Sequence, residues 1–260
     1  MTDNDLLATA TGIAPEPQQK PVRPPKIWGF WATLAWGVGA FGVLAAGQFG
    51  AAVLFLIWEK SAHPGFRIDL REIGNNGPLV ATVTIASVPL LIGFLALAVK
   101  RSRTPLADYL AFRWPARSNA IIGAIGLGLV LALQSGLATL AGKDTPSFMT
   151  DTFASGRQAG LLPLLVIAFA AAAPIGEETL FRGFLYRGFA QKLGAPVAIV
   201  ITAALWASLH IQYDWFFIAE IMMLGIYFGW VRWRSGSTLL TMTLHAAVNS
   251  IALIGLAVGQ

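Results

Sequence analysis

Apolar stretches at 28–58, 79–99, 119–141, 161–187, 195–212, 215–231 and 237–257 alternate with short polar connections. A helix needs roughly 20 apolar residues to cross a bilayer, and each stretch reaches or approaches that length. The pattern predicts an all-α polytopic transmembrane helix bundle of about seven spans. The fourth stretch is unlike the others. Its apolar part stops at Gly176, and the charged residues Glu177, Glu178 and Arg182 follow at once. Either one helix continues through them, or the chain breaks at Pro174 and Gly176. Small residues recur at helix-packing spacing, as in Gly225 and Gly229, or Gly39 with Gly42 and Gly47, and predict close helix approach. No repeat of fixed period is visible, which gives an inverted-repeat transporter no support.

Composition agrees with a membrane protein. Of 260 residues, 56% are hydrophobic and 12% charged, against roughly 25% charged in soluble domains. Cysteine is absent, so disulfides, thiolate metal sites and a cysteine nucleophile are excluded. The net charge of +5 is read as basic cytoplasmic loops, with the bilayer and no nucleic acid as partner. Residues 1–27 are polar and proline-rich and are expected to form a disordered cytoplasmic tail, not a signal peptide. Beyond it lie N-terminal membrane helices over 28–141 and a chemistry-bearing region over 160–257. The connection 100–118 carries Lys100, Arg101, Arg103, Arg113 and Arg117 against Asp108, whereas 59–78 and 142–159 are balanced. Arg187 with Lys192, and Arg232 with Arg234, mark two further basic turns. These alternate as expected for an N-terminus inside and a C-terminus outside, compatible with a bacterial inner membrane. Trp28, Trp58, Trp215, Trp230 and Trp233 fall near span ends, where an aromatic belt would place them.

An ionisable residue at membrane depth is costly and marks a functional site by default. On a helix, Glu178 and Arg182 stand four apart with the acid first, the favourable order for an ion pair. Glu177 points about 100° away from Glu178. Glu178 is therefore expected to be held by Arg182, leaving Glu177 free as a general base. The plainer reading is a solvated helix end at the membrane surface, and from spacing alone the two are evenly matched. His210 and His245 lie inside apolar segments, with Asn249 four residues after His245 on the same face. Each histidine alone reads most simply as a buried polar residue bonded to a neighbouring helix. Together with a carboxamide they suit a metal site or an oxyanion site. His63 lies in a connection and is set aside. Glu220 either lines the same cavity or pairs with a loop cation, and Asp214 sits in a turn. Ser208 and Ser250 lack the Gly-x-Ser-x-Gly context and read as packing residues. No His-Glu-x-x-His occurs.

In this order the motifs resemble those of the CPBP family (CAAX protease and bacteriocin-processing, or Abi), intramembrane proteases related to type II CAAX prenyl endopeptidases. Glu-Glu-x-x-x-Arg is met by Glu177, Glu178 and Arg182, and His-x-x-x-Asn by His245 and Asn249. Phe-x-x-x-His reads here as Trp206-Ala-Ser-Leu-His210. The likeness covers roughly 160–255. Trp206 stands where the family has phenylalanine, and it is expected to keep a wall-forming role and to narrow the cavity.

The resemblance implies hydrolysis of a peptide bond in a membrane-associated or prenylated protein substrate. Glu177, with His210, would activate a water. His245 and Asn249 would stabilise the oxyanion, and Arg182 would hold Glu178. The alternative chemistry makes Glu177, His210 and His245 ligands of zinc. The glutamate version is preferred, because Asn249 is a poor zinc ligand and a good oxyanion donor. The competing function is a non-enzymatic membrane protein of the same fold, such as a bacteriocin-immunity protein or scaffold. A bis-histidine haem protein leaves the two glutamates without a role.

Overall fold

The computed structural model describes residues 26–65, 67, 69 and 73–259. The expected N-terminal tail, apart from Lys26 and Ile27, lies outside the described residues. Those residues form an all-α bundle without strands. Its spans are α1 (Phe30–Ala62), α2 (Gly77–Ser102), α4 (Arg117–Leu140), α6 (Leu162–Leu193), α8 (Trp215–Ser235) and α9 (Thr238–Val258). The shorter apolar helix α7 (Ala195–Ser208) joins them. Two short helices complete the set, α3 (Leu106–Leu110) and α5 (Ser147–Gln158).

The seven expected spans are all helical, but α7 stops at Ser208, four residues before the end expected from its apolar run. The connection 142–159 is not a plain loop, because α5 occupies most of it. Its apolar side chains are too few for a span, yet Phe148 and Phe153 are buried. The fourth span continues through its charged motif without a break. It does so by widening to π geometry at Ala168–Ala172, just before Pro174, and again at Thr179–Leu185. A proline removes one backbone N–H and crowds the carbonyl four residues back. An extra residue in the preceding turn relieves that crowding while the helix goes on.

Four glycines act as the spacing suggested. A Cβ on Gly225 would lie 2.9 Å from Ala203 Cβ, and one on Gly229 would lie 2.7 Å from Ile199 Cγ2, so α7 and α8 meet closely there. Gly39 and Gly47 do the same for α1 against α2 at Phe94 and Leu90. Gly42 meets nothing within 4 Å and has no packing role.

Successive spans alternate direction, giving the bundle two polar ends. Among the described residues, one end gathers Lys26, Lys100, Arg101, Arg103, Arg113, Arg117, Arg187, Lys192, Arg232 and Arg234 against Asp108. Hydrogen bonds tie this end together. Arg113 Nε donates to the Gly236 carbonyl (2.7 Å), Thr238 N to that of Ala111 (3.0 Å), and Gln191 Nε2 to that of Trp28 (3.2 Å). Arg187 Nη1 donates to the carbonyls of Asp108 and Tyr109. The Tyr109 ring stacks on Phe184 with centroids 5.6 Å apart, and burial pushes its phenol up to about 12. The other end carries Lys60, Arg67, Lys143 and Arg157 against Glu59, Asp69, Asp144, Asp151 and Asp214 among the described residues. There Lys143 Nζ pairs with Asp214 Oδ2 at 2.8 Å, and that bond holds the Asp214 carboxyl below its ordinary range. Asp214 Oδ1 also accepts from Phe216 N (2.9 Å) and Phe217 N (3.3 Å), capping α8.

Candidate active site

The middle of α6 supplies the acids. Glu178 and Arg182 are both fully buried, and Arg182 Nη1 donates to Glu178 Oε1 at 2.9 Å. A charge pair out of water persists only when its remaining hydrogen-bonding groups are also met. Here that condition is met in part: Arg182 Nη2 donates to the Gly225 carbonyl of α8 at 2.9 Å, while Arg182 Nε and Glu178 Oε2 are buried without a hydrogen-bond partner. The guanidinium lies 4.7 Å from the Trp206 ring centroid and 5.6 Å from that of Phe228, within cation–π range. Gly225 makes two of these contacts possible: it exposes its carbonyl and leaves room for the Trp206 ring, 3.1 Å from where its Cβ would be.

His245 on α9 completes the network. Its Nδ1 lies 3.1 Å from Glu178 Oε1. A carboxylate only accepts, so Nδ1 carries the proton and Nε2 is left for other work. His245 is buried between aromatic rings. Phe228 stacks on it at 5.4 Å, and Trp206 meets it edge-on at 5.3 Å. His210 follows the end of α7, and its Nδ1–H donates to the Trp206 carbonyl at 2.9 Å, so its Nε2 is free by the same reasoning.

Glu177 is held differently from its neighbour. Trp206 Nε1 donates to Glu177 Oε2 at 2.5 Å. Trp206 thus does more than form a wall, because it holds one oxygen of the acid expected to be unrestrained. Sequence reasoning missed this, although an indole in place of a phenyl ring was a visible cue, since only indole carries a donor. Asn249 also departs from expectation. Its Nδ2 donates to the Phe169 carbonyl at 2.8 Å, in the first π-widened turn of α6. One amide hydrogen is therefore used in bracing α9 to α6, and a second is left.

A cavity of about 1240 Å³ opens beside these groups, lined by Glu177, Trp206, His210, His245 and Asn249. Glu220 lines it too, and this decides between the two placements open for it. Its backbone carbonyl accepts from Gln134 Nε2 at 2.8 Å, while its Oε1 is buried without a hydrogen-bond partner. Tyr213, which the sequence did not single out, lines the same cavity. Burial, and then the Glu177 carboxylate, hold its phenol above the ordinary tyrosine range. Asp214 and His63 stay outside the cavity, the latter paired with Glu59 at 2.8 Å. Ser208 and Ser250 bond to carbonyls of their own helices.

The donor set does not fit a metal in this geometry. Among the described residues, no three His, Cys, Asp or Glu side chains group closely enough to hold an ion. Glu177, His210 and His245 are spread around Trp206, and two of their polar atoms are already engaged by it.

Two curated relatives resemble part of the chain. One is an uncharacterized 24.3 kDa protein of Escherichia coli, 31% identical over 140 residues, which are 51% of this chain and 58% of that protein. The other is the UPF0177 protein YxdF of Lactococcus lactis subsp. lactis (strain IL1403), 26% identical over 122 residues, 46% of this chain and 62% of that protein. The chain thus spans about six-tenths of the length of these relatives. No solved structure matches. Residues 159–251 match the family described as type II CAAX prenyl endopeptidase Rce1-like. All three motifs fall inside those residues. This match over 159–251 agrees with the family that the motifs resemble.

Proposed function

We propose that this integral membrane protein is an intramembrane endopeptidase in which Glu177 activates the attacking water. The observation that carries this reading is the division of labour between adjacent acids. Glu178 is consumed by Arg182 and His245 in a buried network, whereas Glu177 stands on the cavity wall with one oxygen fixed by Trp206. A carboxylate oriented in this way is placed to take a proton in a low-dielectric site.

Glu177 removes a proton from water as the oxygen attacks the scissile carbonyl carbon. The carbonyl π electrons move onto oxygen, and the oxyanion is met by the spare amide hydrogen of Asn249, on the helix that His245 ties to Glu178. His210 Nε2 orients the water. When the tetrahedral intermediate collapses, the C–N bond breaks and Glu177 returns its proton to the leaving nitrogen. Tyr213, kept protonated at neutral pH, is a further hydroxyl donor at the cavity wall.

The test is cleavage of membrane-bound and prenylated peptides by the purified protein in detergent. Glu177→Gln is expected to lower kcat by about 10²–10⁴-fold, the usual contribution of general base catalysis, with the fold intact. A chelator is expected to leave the wild-type rate unchanged. Retained activity in Glu177→Gln would sink the mechanism. Loss to a chelator with recovery on zinc would replace it with metal chemistry. A cellular phenotype that survives Glu177→Gln would favour the immunity or scaffold role.

A further inference from the structure

The cavity is not centred between the two ends of the bundle. On α2 it is lined from Val80 to Leu91, on α8 from Phe217 to Phe228, and on α9 from His245 to Leu256, with Gly259 just beyond that helix. In each case this is mainly the part nearer the weakly charged end, while α1 and α6 contribute mid-span residues, Phe41 to Gln48 and Phe169 to Phe181. Its rim is made by the connections there, through Thr145, Pro146, Gln212 and Tyr213. Gln212 and Thr145 are exposed. None of the residues lining the cavity comes from the basic end.

Toward the basic end the floor is solid. Arg182, Phe181, Phe184 and Phe228 are all essentially inaccessible. Below them Arg232 Nε donates to the Arg182 carbonyl and to Thr238 Oγ1, each at 3.1 Å. Thr238 Oγ1 donates in turn to the Leu110 carbonyl at 2.6 Å. A polypeptide entering from the basic side would have to break this stack. From the other side it meets an open mouth.

Among the described residues, ten cations against one acid at this end is the pattern that fixes which end stays in the cytoplasm. Acidic residues weigh little in that rule, so the near-balance of the opposite end does not weaken it. We propose that the cavity admits its polypeptide from the non-cytoplasmic face of the membrane. Resting on the protease reading above, this makes the substrate class a membrane-associated segment exposed on that outer face. A soluble cytoplasmic tail would not reach Glu177.

The chain contains no cysteine, so single cysteines report sidedness without background. Gln212→Cys stands at the rim, and Ser118→Cys, also exposed, stands at the basic end. Both are expressed in intact bacterial cells and treated with a membrane-impermeant maleimide. Gln212→Cys is expected to label in intact cells, and Ser118→Cys only after permeabilisation. The reverse pattern would overturn the proposal whatever the enzyme does. In parallel, one reporter segment is fused to a membrane anchor so that it faces either side. Cleavage by the wild type is expected only for the outward-facing reporter. Glu177-dependent cleavage of the inward-facing reporter would overturn the proposal even with outward labelling. Outward labelling with neither reporter cut would support the access side and count against proteolysis, so the two readings fail separately.

Discussion

At the scale of single residues, Trp206 is the junction of the site. Its indole N–H holds Glu177, its ring faces the Arg182 guanidinium, and its carbonyl fixes the ring of His210. Trp206→Phe preserves an aromatic face but removes the donor. A hydrogen bond to a charged group contributes about 1.5–3 kcal/mol, so kcat is expected to fall roughly 10- to 100-fold with little change in KM. Trp206→Leu removes the face as well, and should also lower the thermal unfolding midpoint in detergent. Wild-type kinetics in Trp206→Phe would show that the indole donor does not matter. The buried pair behaves differently. Glu178→Gln strands the Arg182 charge and is expected to destabilise the protein by about 3–5 kcal/mol. The double variant Glu178→Gln/Arg182→Met leaves no charge unpaired and should recover much of that loss. Additive unfolding shifts would refute the coupling. The sequence made Glu178–Arg182 legible because the pair is local to one helix. The three-helix convergence on Trp206 is set by helix rotation and was not legible.

At the scale of elements, the apolar runs predicted the spans well, because burial in lipid demands a continuous apolar stretch. What escaped were features that length does not encode. Helix α5 is polar enough to read as a loop, and the two π-widened segments of α6 leave no mark in hydropathy. The first of them presents the Phe169 carbonyl to Asn249. Asn249→Ala therefore removes a brace between α9 and α6 as well as an oxyanion donor. Asn249→Asp keeps the shape but cannot donate in its ionised form. Both variants are expected to lose activity, and Asp the more, because a second negative charge would face the oxyanion. The α7–α8 contact offers a cleaner element-scale test. At Gly225 an added Cβ would press on Ala203 and on the Trp206 ring. Gly225→Ala is expected to cost about 1–3 kcal/mol by overpacking and to lower kcat by displacing Trp206. Gly42→Ala, with open space around it, serves as the neutral control in both unfolding and turnover.

At the scale of the whole molecule, charge is sorted so that cations gather at one end and the cavity keeps only acids. Among its lining residues the charged side chains are Glu177 and Glu220, with no lysine or arginine. Glu220 has a buried oxygen without a partner, an arrangement that is costly unless a proton or a cation joins it. An acidic side chain or a free C-terminal carboxylate entering this space would meet like charge with no lysine or arginine to offset it. A basic side chain would supply the missing partner. Peptides that differ only at one position flanking the cleaved bond should therefore rank lysine above norleucine above glutamate in kcat/KM. A charge-assisted contact of about 1.5–3 kcal/mol corresponds to roughly 10- to 100-fold between lysine and norleucine. Glu220→Gln should flatten that ranking while leaving turnover of the norleucine peptide near wild type, since Glu220 has no part in the water-activating set. A ranking unchanged by Glu220→Gln would mean that Glu220 is held neutral by its own proton and does not read the substrate.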